Sequence, residues 1–128
     1  MGNNHGRYPC PCCGYLVFDE DPGSYDICSI CFWEDDLSQL RFAFMDGGAN
    51  RVSLGDGQRA YAILGACEGR FVMYVRQPTG EDRRDAGWRP LDPTRDNIED
   101  AQAVTNAAQT YPDDPTRLYY WRDTYWRR

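Results

Sequence analysis

Apolar and aromatic residues form two short strand-like stretches near the amino end of the chain, at residues 15–18 and 25–27. The sequence Asp-Pro-Gly-Ser lies between them at residues 21–24, and its composition is typical of a tight turn. The pattern therefore predicts a β-hairpin in which the second stretch returns beside the first. A further strand is predicted at residues 71–76, where five apolar residues precede an arginine.

The first of two predicted helices lies in the middle of the chain. Ser53 is a suitable amino-terminal cap for a helix that ends near Leu64. Gly65 is suited to end this helix because glycine adopts the left-handed conformation without strain. Gly55 and Gly57 lie in the first turn, and each weakens it by about 1 kcal/mol relative to alanine.

The carboxyl-terminal part, residues 92–128, is predicted to form a helical extension. A helix is expected from residue 93 or 97 to residue 111, ended by Pro112. Its apolar stripe consists of Ile98, Ala101, Val104, Ala108 and Tyr111. Residues 118–128 are dense in aromatic residues and arginine. This last segment is predicted to pack back onto a small core, although the same residue types also form interface hot spots.

The charge distribution limits what such a protein can bind. All 14 basic residues are arginine, and with 20 acidic residues the net charge is −6. Residues 1–40 hold one arginine and seven carboxylates, so this segment alone has a net charge of −6. An acidic surface repels phosphate, which makes nucleic acid an unfavourable ligand and favours a basic protein partner.

Six cysteines carry the clearest chemical signal in the sequence. Four of them form two Cys-x-x-Cys pairs, Cys10 with Cys13 and Cys28 with Cys31, separated by 14 residues. A tight turn brings the two sulfurs of each pair together, and four thiolates match the tetrahedral preference of zinc. The pairs are therefore predicted to bind one structural Zn²⁺ ion. Iron on the same four sulfurs, a redox dithiol and a disulfide scaffold are the alternatives.

The residues around these pairs refine the prediction. Pro11 presets the backbone of the first turn, and Gly14 suits a positive φ just after it, whereas Phe32 stands at the equivalent position of the second pair. Cys12 is expected to point away from the metal, and it is either inert, exposed and reactive, or an alternate ligand. Cys67 is predicted to be a small buried hydrophobic residue.

The sequence lacks the usual groups of a catalytic site. The only histidine is His5, in a polar amino-terminal tail, so arrangements that pair a serine or cysteine nucleophile with histidine are excluded. Glu34, Asp35 and Asp36 are interpreted as a solvated acidic patch. A closed four-sulfur site leaves no open position for water, and no enzymatic activity is expected.

Further short motifs accompany the cysteines. They are Tyr-Pro-Cys-Pro-Cys-Cys-Gly-Tyr at residues 8–15, Gly-Ser-Tyr-Asp-Ile-Cys at 23–28, Cys-Phe-Trp-Glu-Asp-Asp at 31–36, Gly-Gly-Ala-Asn at 47–50 with Ser-Leu at 53–54, Gly-Ala-Cys at 65–67, and Arg-Asp at 84–85 with Gly-Trp at 87–88. Together they resemble the bacterial cysteine-rich CPCC family over about residues 8–91. The resemblance implies a small zinc-ribbon protein with these four ligands, and it implies no particular activity.

The predicted fold is α+β in a single domain of residues 1–128. A zinc-ribbon hairpin at residues 8–40 packs on a small α+β body at residues 41–91, and the helical extension at residues 92–128 follows. No apolar run is long enough to span a membrane and no secretory signal is visible, so a cytoplasmic location without membrane contact is expected.

The predicted function is a non-catalytic protein-binding module. The most concrete form of this hypothesis is an immunity protein or antitoxin that inhibits a cognate bacterial toxin, whose domain would be basic. The alternatives are a zinc-ribbon accessory in nucleic-acid or transcription processes, and a thiol-based zinc or redox sensor that uses Cys12.

Overall fold

A computed structural model of the protein describes residues 7–106 and 110–127. Within them the chain forms one two-stranded sheet, two α-helices and several 3₁₀ turns. The strands are β1 (Tyr8–Pro9) and β2 (Leu16–Phe18), and the helices are α1 (Leu37–Arg41) and α2 (Leu54–Leu64). These elements agree with a small α+β fold. No helix in this part of the chain is long and apolar enough to cross a membrane.

The hairpin differs from the predicted one in its partner strand. β2 pairs antiparallel with β1, which precedes it in the chain. Residues 25–27, the predicted partner, form no strand, because Tyr25 has a positive φ of 63° that takes the chain out of the extended conformation. Ile27 instead forms an isolated antiparallel bridge with Glu34. Each Cys-x-x-Cys pair therefore lies in the turn of its own small hairpin.

Two carboxylates that the sequence places in an acidic run are part of the interior. Asp36 caps α1, and its Oδ1 accepts hydrogen bonds from the amides of Ser38 and Gln39 at 2.8 and 3.3 Å. Asp35 accepts a hydrogen bond from the Ser24 hydroxyl at 2.8 Å. Both aspartates are buried, so the prediction of a solvated acidic patch is wrong for them.

α2 begins and ends as predicted. The Ser53 hydroxyl accepts a hydrogen bond from the Asp56 amide at 3.1 Å, and Gly65 ends the helix in the left-handed conformation at φ 80°. Gly57 has a packing role, since a Cβ there would lie 3.2 Å from the Trp33 ring and 3.3 Å from Cys12 Sγ. Glycine lowers the helix propensity at this position. Because it has no side chain, α2 can approach the first cysteine pair closely.

The strand predicted at residues 71–76 is absent. A 3₁₀ turn at Gly69–Phe71 is followed by an irregular segment in which Met73 is 89% exposed. Phe71 packs against Phe32, with ring centroids 4.4 Å apart, and this contact holds the turn beside the second cysteine pair. The apolar run that suggested a strand therefore lies largely on the surface.

The helix predicted from residue 93 or 97 to residue 111 is also wrong as far as the structure describes it. The described part contains only a 3₁₀ turn at Ala101–Ala103, and residues 107–109 lie outside the described residues. Asn106 has a positive φ of 56°, which an α-helix does not accommodate. Glu99 is drawn towards the interior by an ion pair with Arg41 at 2.9 Å. The described part of the extension consists of loops and 3₁₀ turns, one of them at Pro115–Leu118.

The last aromatic segment packs onto the core, as the sequence predicts. Its buried members are Leu118, Tyr119, Tyr120, Trp121 and Tyr125. Asp85 anchors this segment, because it accepts a hydrogen bond from Trp121 Nε1 at 2.7 Å and two from the Arg122 guanidinium at 2.9 Å. The carboxyl-terminal residues therefore complete the hydrophobic core instead of forming a separate unit.

Candidate metal centre

The two Cys-x-x-Cys pairs adopt the same backbone turn, and we call them the first knuckle (residues 10–13) and the second knuckle (residues 28–31). The amide of Gly14 donates to the Cys10 carbonyl at 2.7 Å, and the amide of Phe32 donates to the Cys28 carbonyl at 2.8 Å. Both residues that end a turn have positive φ, 84° at Gly14 and 72° at Phe32. Phe32 thus holds a conformation that glycine adopts with less strain.

The two knuckles bring four thiols into one cluster. The Sγ atoms of Cys10 and Cys31 are 3.5 Å apart, and those of Cys13 and Cys28 are 3.7 Å apart. All four sulfurs lie within 4.8 Å of one another, and all four residues are 0% exposed. The structure therefore brings together the four cysteines predicted as ligands, in an arrangement that could hold a metal ion.

Burial controls the ionisation of these thiols. Removal from water raises the pKa of Cys10, Cys13 and Cys31 above the ordinary thiol value. Burial acts in the same direction on Cys28, but hydrogen bonds from the three other thiols and from the Cys31 amide lower the pKa of Cys28 well below that value. The amides of Ile30 and Cys31 point at Cys28 Sγ, at 3.3 and 3.4 Å. Cys28 is thus suited to the thiolate state, the form that binds metals.

The two cysteines outside the cluster are buried as well. Cys12 is 0% exposed and Cys67 is 1% exposed. The prediction that Cys67 is a buried residue is confirmed, and an exposed, reactive Cys12 is excluded. Cys12 packs under α2 next to Gly57, and the Cys67 amide donates to the Cys31 carbonyl at 2.8 Å. Neither sulfur belongs to the group of four that lies within 4.8 Å.

Three side chains from later in the chain close over the first knuckle. The Pro11 carbonyl accepts hydrogen bonds from Gln58 Nε2 at 3.0 Å and from Trp88 Nε1 at 3.1 Å. The Cys13 carbonyl accepts one from Arg84 Nε at 2.8 Å. Trp88 packs on the core as predicted. The sequence gives no sign of the roles of Gln58 and Arg84, because their hydrogen bonds join residues 47 and 71 positions apart and leave no local pattern.

Replacing Gly14 by alanine is expected to destabilise the protein by several kcal/mol. A Cβ at Gly14 would lie 2.4 Å from the Trp88 ring, so the ring must move and its hydrogen bond to Pro11 is lost. Gly47→Ala is the matched control, because Gly47 also has a positive φ, 76°, but no atom lies within 4 Å of its added Cβ. The control should cost only the backbone strain, about 1–2 kcal/mol. Equal losses in urea unfolding would contradict the proposed role of the ring contact.

Comparison with known protein families finds one whose model matches the segment that contains the cysteine cluster. The family model described as cysteine-rich CPCC matches residues 8–82, which is more than half of the chain. The matched segment includes both knuckles and α2, and it ends before Arg84 and Trp88. It is shorter than the resemblance seen in the sequence, and residues 92–128 lie outside both. A comparison with curated proteins found no match.

Proposed function

The chain belongs to the cysteine-rich CPCC family, and we propose that its cluster binds one structural zinc ion in a protein that acts by binding another protein. The zinc ligands in this proposal are Cys10, Cys13, Cys28 and Cys31. The ion would fix both knuckles relative to each other, and the surfaces around them would serve for recognition. The proposal assigns no catalytic residue.

The spacing of the sulfurs is the observation that carries the zinc assignment. A zinc–sulfur bond is about 2.3 Å long, so a regular tetrahedron of four thiolates has sulfurs about 3.8 Å apart. The two pairs at 3.5 and 3.7 Å are close to this value, and no sulfur of the four is more than 4.8 Å from another. They are also much farther apart than two sulfurs in a disulfide, which are about 2.05 Å apart. The cluster supports metal binding over a disulfide scaffold.

A structural role follows from the closed character of such a site. Four protein sulfurs fill a tetrahedral coordination shell and leave no position for water or substrate. Zinc is favoured over iron because it is the usual occupant of four-cysteine sites of this kind. Elemental analysis of protein from cells supplied with both metals is expected to give one zinc per chain. Iron at that stoichiometry, no transition metal, or thiols crosslinked in pairs would each refute the zinc assignment.

An acidic surface supports a basic protein partner. Asp35 and Asp36 are internal, but the loop at residues 19–26 carries four exposed carboxylates, Asp19, Glu20, Asp21 and Asp26. Exposed charges of one sign accelerate association with an oppositely charged partner. The most specific form of the proposal is an immunity protein that inhibits a basic toxin domain.

The partner hypothesis is tested by searching the genes adjacent to this protein's own gene for a toxin with a basic domain and producing that toxin with this protein. Co-purification of the two proteins, and survival of toxin-producing cells only when this protein is present, are the expected results. The triple variant Glu20→Gln, Asp21→Asn, Asp26→Asn should slow association and weaken its dependence on salt. A variant with Glu81→Gln and Asp113→Asn changes exposed carboxylates outside the loop and serves as control. Survival of cells that make the toxin alone would refute the immunity role.

The two alternative functions receive less support. The exposed carboxylates of residues 19–26 repel nucleic-acid phosphate, which disfavours a nucleic-acid accessory. A thiol sensor needs an accessible sulfur, and Cys12 is fully buried. A gel-shift assay at low salt and an oxidant titration of a Cys12→Ser variant test these two alternatives directly.

A further inference from the structure

A positively charged cavity lies in the carboxyl-terminal part of the chain, far along the sequence from the cysteines. Its volume is about 330 Å³, and three arginines line it, Arg89, Arg95 and Arg127, with one carboxylate, Asp96. The lining thus carries three positive charges and one negative charge, whereas the whole chain has a net charge of −6. All of these residues follow residue 82, where the segment matched by the family model ends, so the match does not cover the cavity.

One wall of the cavity contains an ion pair between Arg89 and Asp96, whose charges neutralise each other. Arg89 donates from both terminal nitrogens to the two oxygens of Asp96, at 2.8 and 2.6 Å. The Tyr120 hydroxyl donates to the Arg89 carbonyl at 2.5 Å and accepts a hydrogen bond from Gln58 at 2.9 Å. The pair and the tyrosine form a fixed polar surface, in which the charge of Arg89 is already balanced.

The other two arginines are not balanced in this way. Arg127 forms an ion pair and a hydrogen bond with Glu99 at 3.4 Å, and the same carboxylate accepts two shorter hydrogen bonds from Arg41, at 3.0 and 2.9 Å, so these three groups together keep one positive charge. The Trp126 ring stacks against Arg127, 4.1 Å from its guanidinium carbon, and restrains its position. Within residues 7–106 and 110–127, the guanidinium of Arg95 makes no hydrogen bond or ion pair. Two guanidinium groups therefore line the same cavity, and each has N–H donors beyond those that the contacts above use.

The walls that carry these two arginines are tied to each other. Asn97 Nδ2 donates to the Arg127 carbonyl at 2.7 Å, and the Tyr125 hydroxyl donates to the Asn97 carbonyl at 3.0 Å. Asp92 and Asp96 lie near Arg95 and reduce its positive potential, and the Asp92 carboxylate accepts hydrogen bonds from the amide and hydroxyl of Thr94. The cavity is consequently held open by contacts that do not use the free guanidinium donors.

We infer that this cavity binds a small phosphate monoester, with Arg95 and Arg127 as the phosphate ligands. Arginine presents a planar fork of donors that matches phosphate oxygens in pairs. A phosphate monoester carries about 1.5 to 2 negative charges near neutral pH, which suits the excess positive charge around Arg95 and Arg127 better than the single charge of a carboxylate does. The volume of about 330 Å³ lies in the range of small-molecule sites and leaves room for an organic group beside the phosphate.

The test is a calorimetric titration of the intact, metal-loaded protein with glycerol 3-phosphate in a chloride buffer of constant ionic strength. Binding at one site per chain is expected, tighter than the binding of acetate. Arg95→Gln and Arg127→Gln should each weaken it by about tenfold or more, because each removes a charged hydrogen-bond donor. Arg83→Gln is the control, since Arg83 is also exposed and lies outside the cavity lining.

The possible outcomes distinguish a specific binding site from non-specific attraction of an anion to the arginines. No binding by the wild type, binding of acetate as tight as that of the phosphate ester, or equal weakening in Arg83→Gln would each overturn the inference. A parallel titration with inorganic phosphate shows whether the organic group contributes, and equally tight binding would remove that part of the inference. Circular dichroism of each variant confirms that a loss of binding is not a loss of fold. The experiment does not depend on the protein-binding proposal.

Discussion

Removal of the proposed zinc ion with a chelator is expected to unfold residues 8–40 and to loosen the core that packs on them. Both knuckles and the loop between them are short, and the only regular sheet in the described residues has strands of two and three residues. Such strands do not hold a fold by themselves. Structural zinc typically contributes about 10–16 kcal/mol of binding free energy, which equals or exceeds the whole stability of a small domain, about 5–15 kcal/mol.

The effect should extend beyond the knuckles because the cluster lies in the main core. The four ligands pack in one buried group with Trp33, Leu54 and Tyr119. In the absence of metal, thiols that are fully buried favour the protonated state, and the attraction that holds both knuckles together disappears. Far-ultraviolet and tryptophan signals should therefore both change on chelation, and both should recover when zinc is returned.

Single cysteine variants locate this effect in the four ligands. Cys28→Ser should reduce zinc content to well below one per chain and lower the melting temperature sharply, since a hydroxyl is a poor zinc ligand. Cys67→Ala is the matched control, because Cys67 is equally buried but outside the cluster. The control should keep one zinc and lose no more than about 2 kcal/mol. Unchanged unfolding of the wild type after verified metal removal would contradict the structural role of the ion.

The features that could be predicted from the sequence are those with a local cause. The four clustered cysteines follow from spacing alone, and α2 follows from its caps, because Ser53 and Gly65 act within a few residues of the helix ends. Gly57 shows the limit of that reasoning. Its cost to helix propensity is visible in the sequence, but its contact with Trp33 and Cys12 is not.

The features that could not be predicted depend on contacts between distant parts of the chain. The acidic run at residues 34–36 has the composition of a solvated surface, yet Asp36 accepts a hydrogen bond from the Ala49 amide at 2.8 Å and Asp35 accepts one from the Ser24 hydroxyl. The apolar positions between residues 98 and 111 have helical spacing, yet in the described part of this stretch Ile98 and Tyr111 lie outside any helix and pack on the core. In both cases a tertiary hydrogen bond or ion pair overrides the local tendency.

Arg41→Met is expected to cost about 3–5 kcal/mol, the largest effect predicted for any substitution outside the metal centre. The Arg41 side chain is 0% exposed and donates to both oxygens of Glu99. It also donates to Thr110 at 3.2 Å, and its guanidinium lies 4.7 Å from the Tyr111 ring and 5.1 Å from the Trp126 ring. Loss of the Arg41 guanidinium leaves the carboxylate of Glu99 partly buried without its main partner. The extension should then detach from α1 and become sensitive to proteases.

A double-mutant cycle separates the ion pair from simple packing. Arg41→Met with Glu99→Leu removes both charges and should regain much of the stability lost in Arg41→Met alone, since a buried pair replaced by apolar groups is often near neutral. Arg59→Met is the control, because Arg59 pairs with Asp56 at the surface and its side chain is 65% exposed. Its loss should stay below about 1 kcal/mol. If the double variant is as unstable as the sum of both single variants, the pair is not coupled, and Arg41 stabilises the extension through its other contacts, which include Thr110 and the aromatic rings.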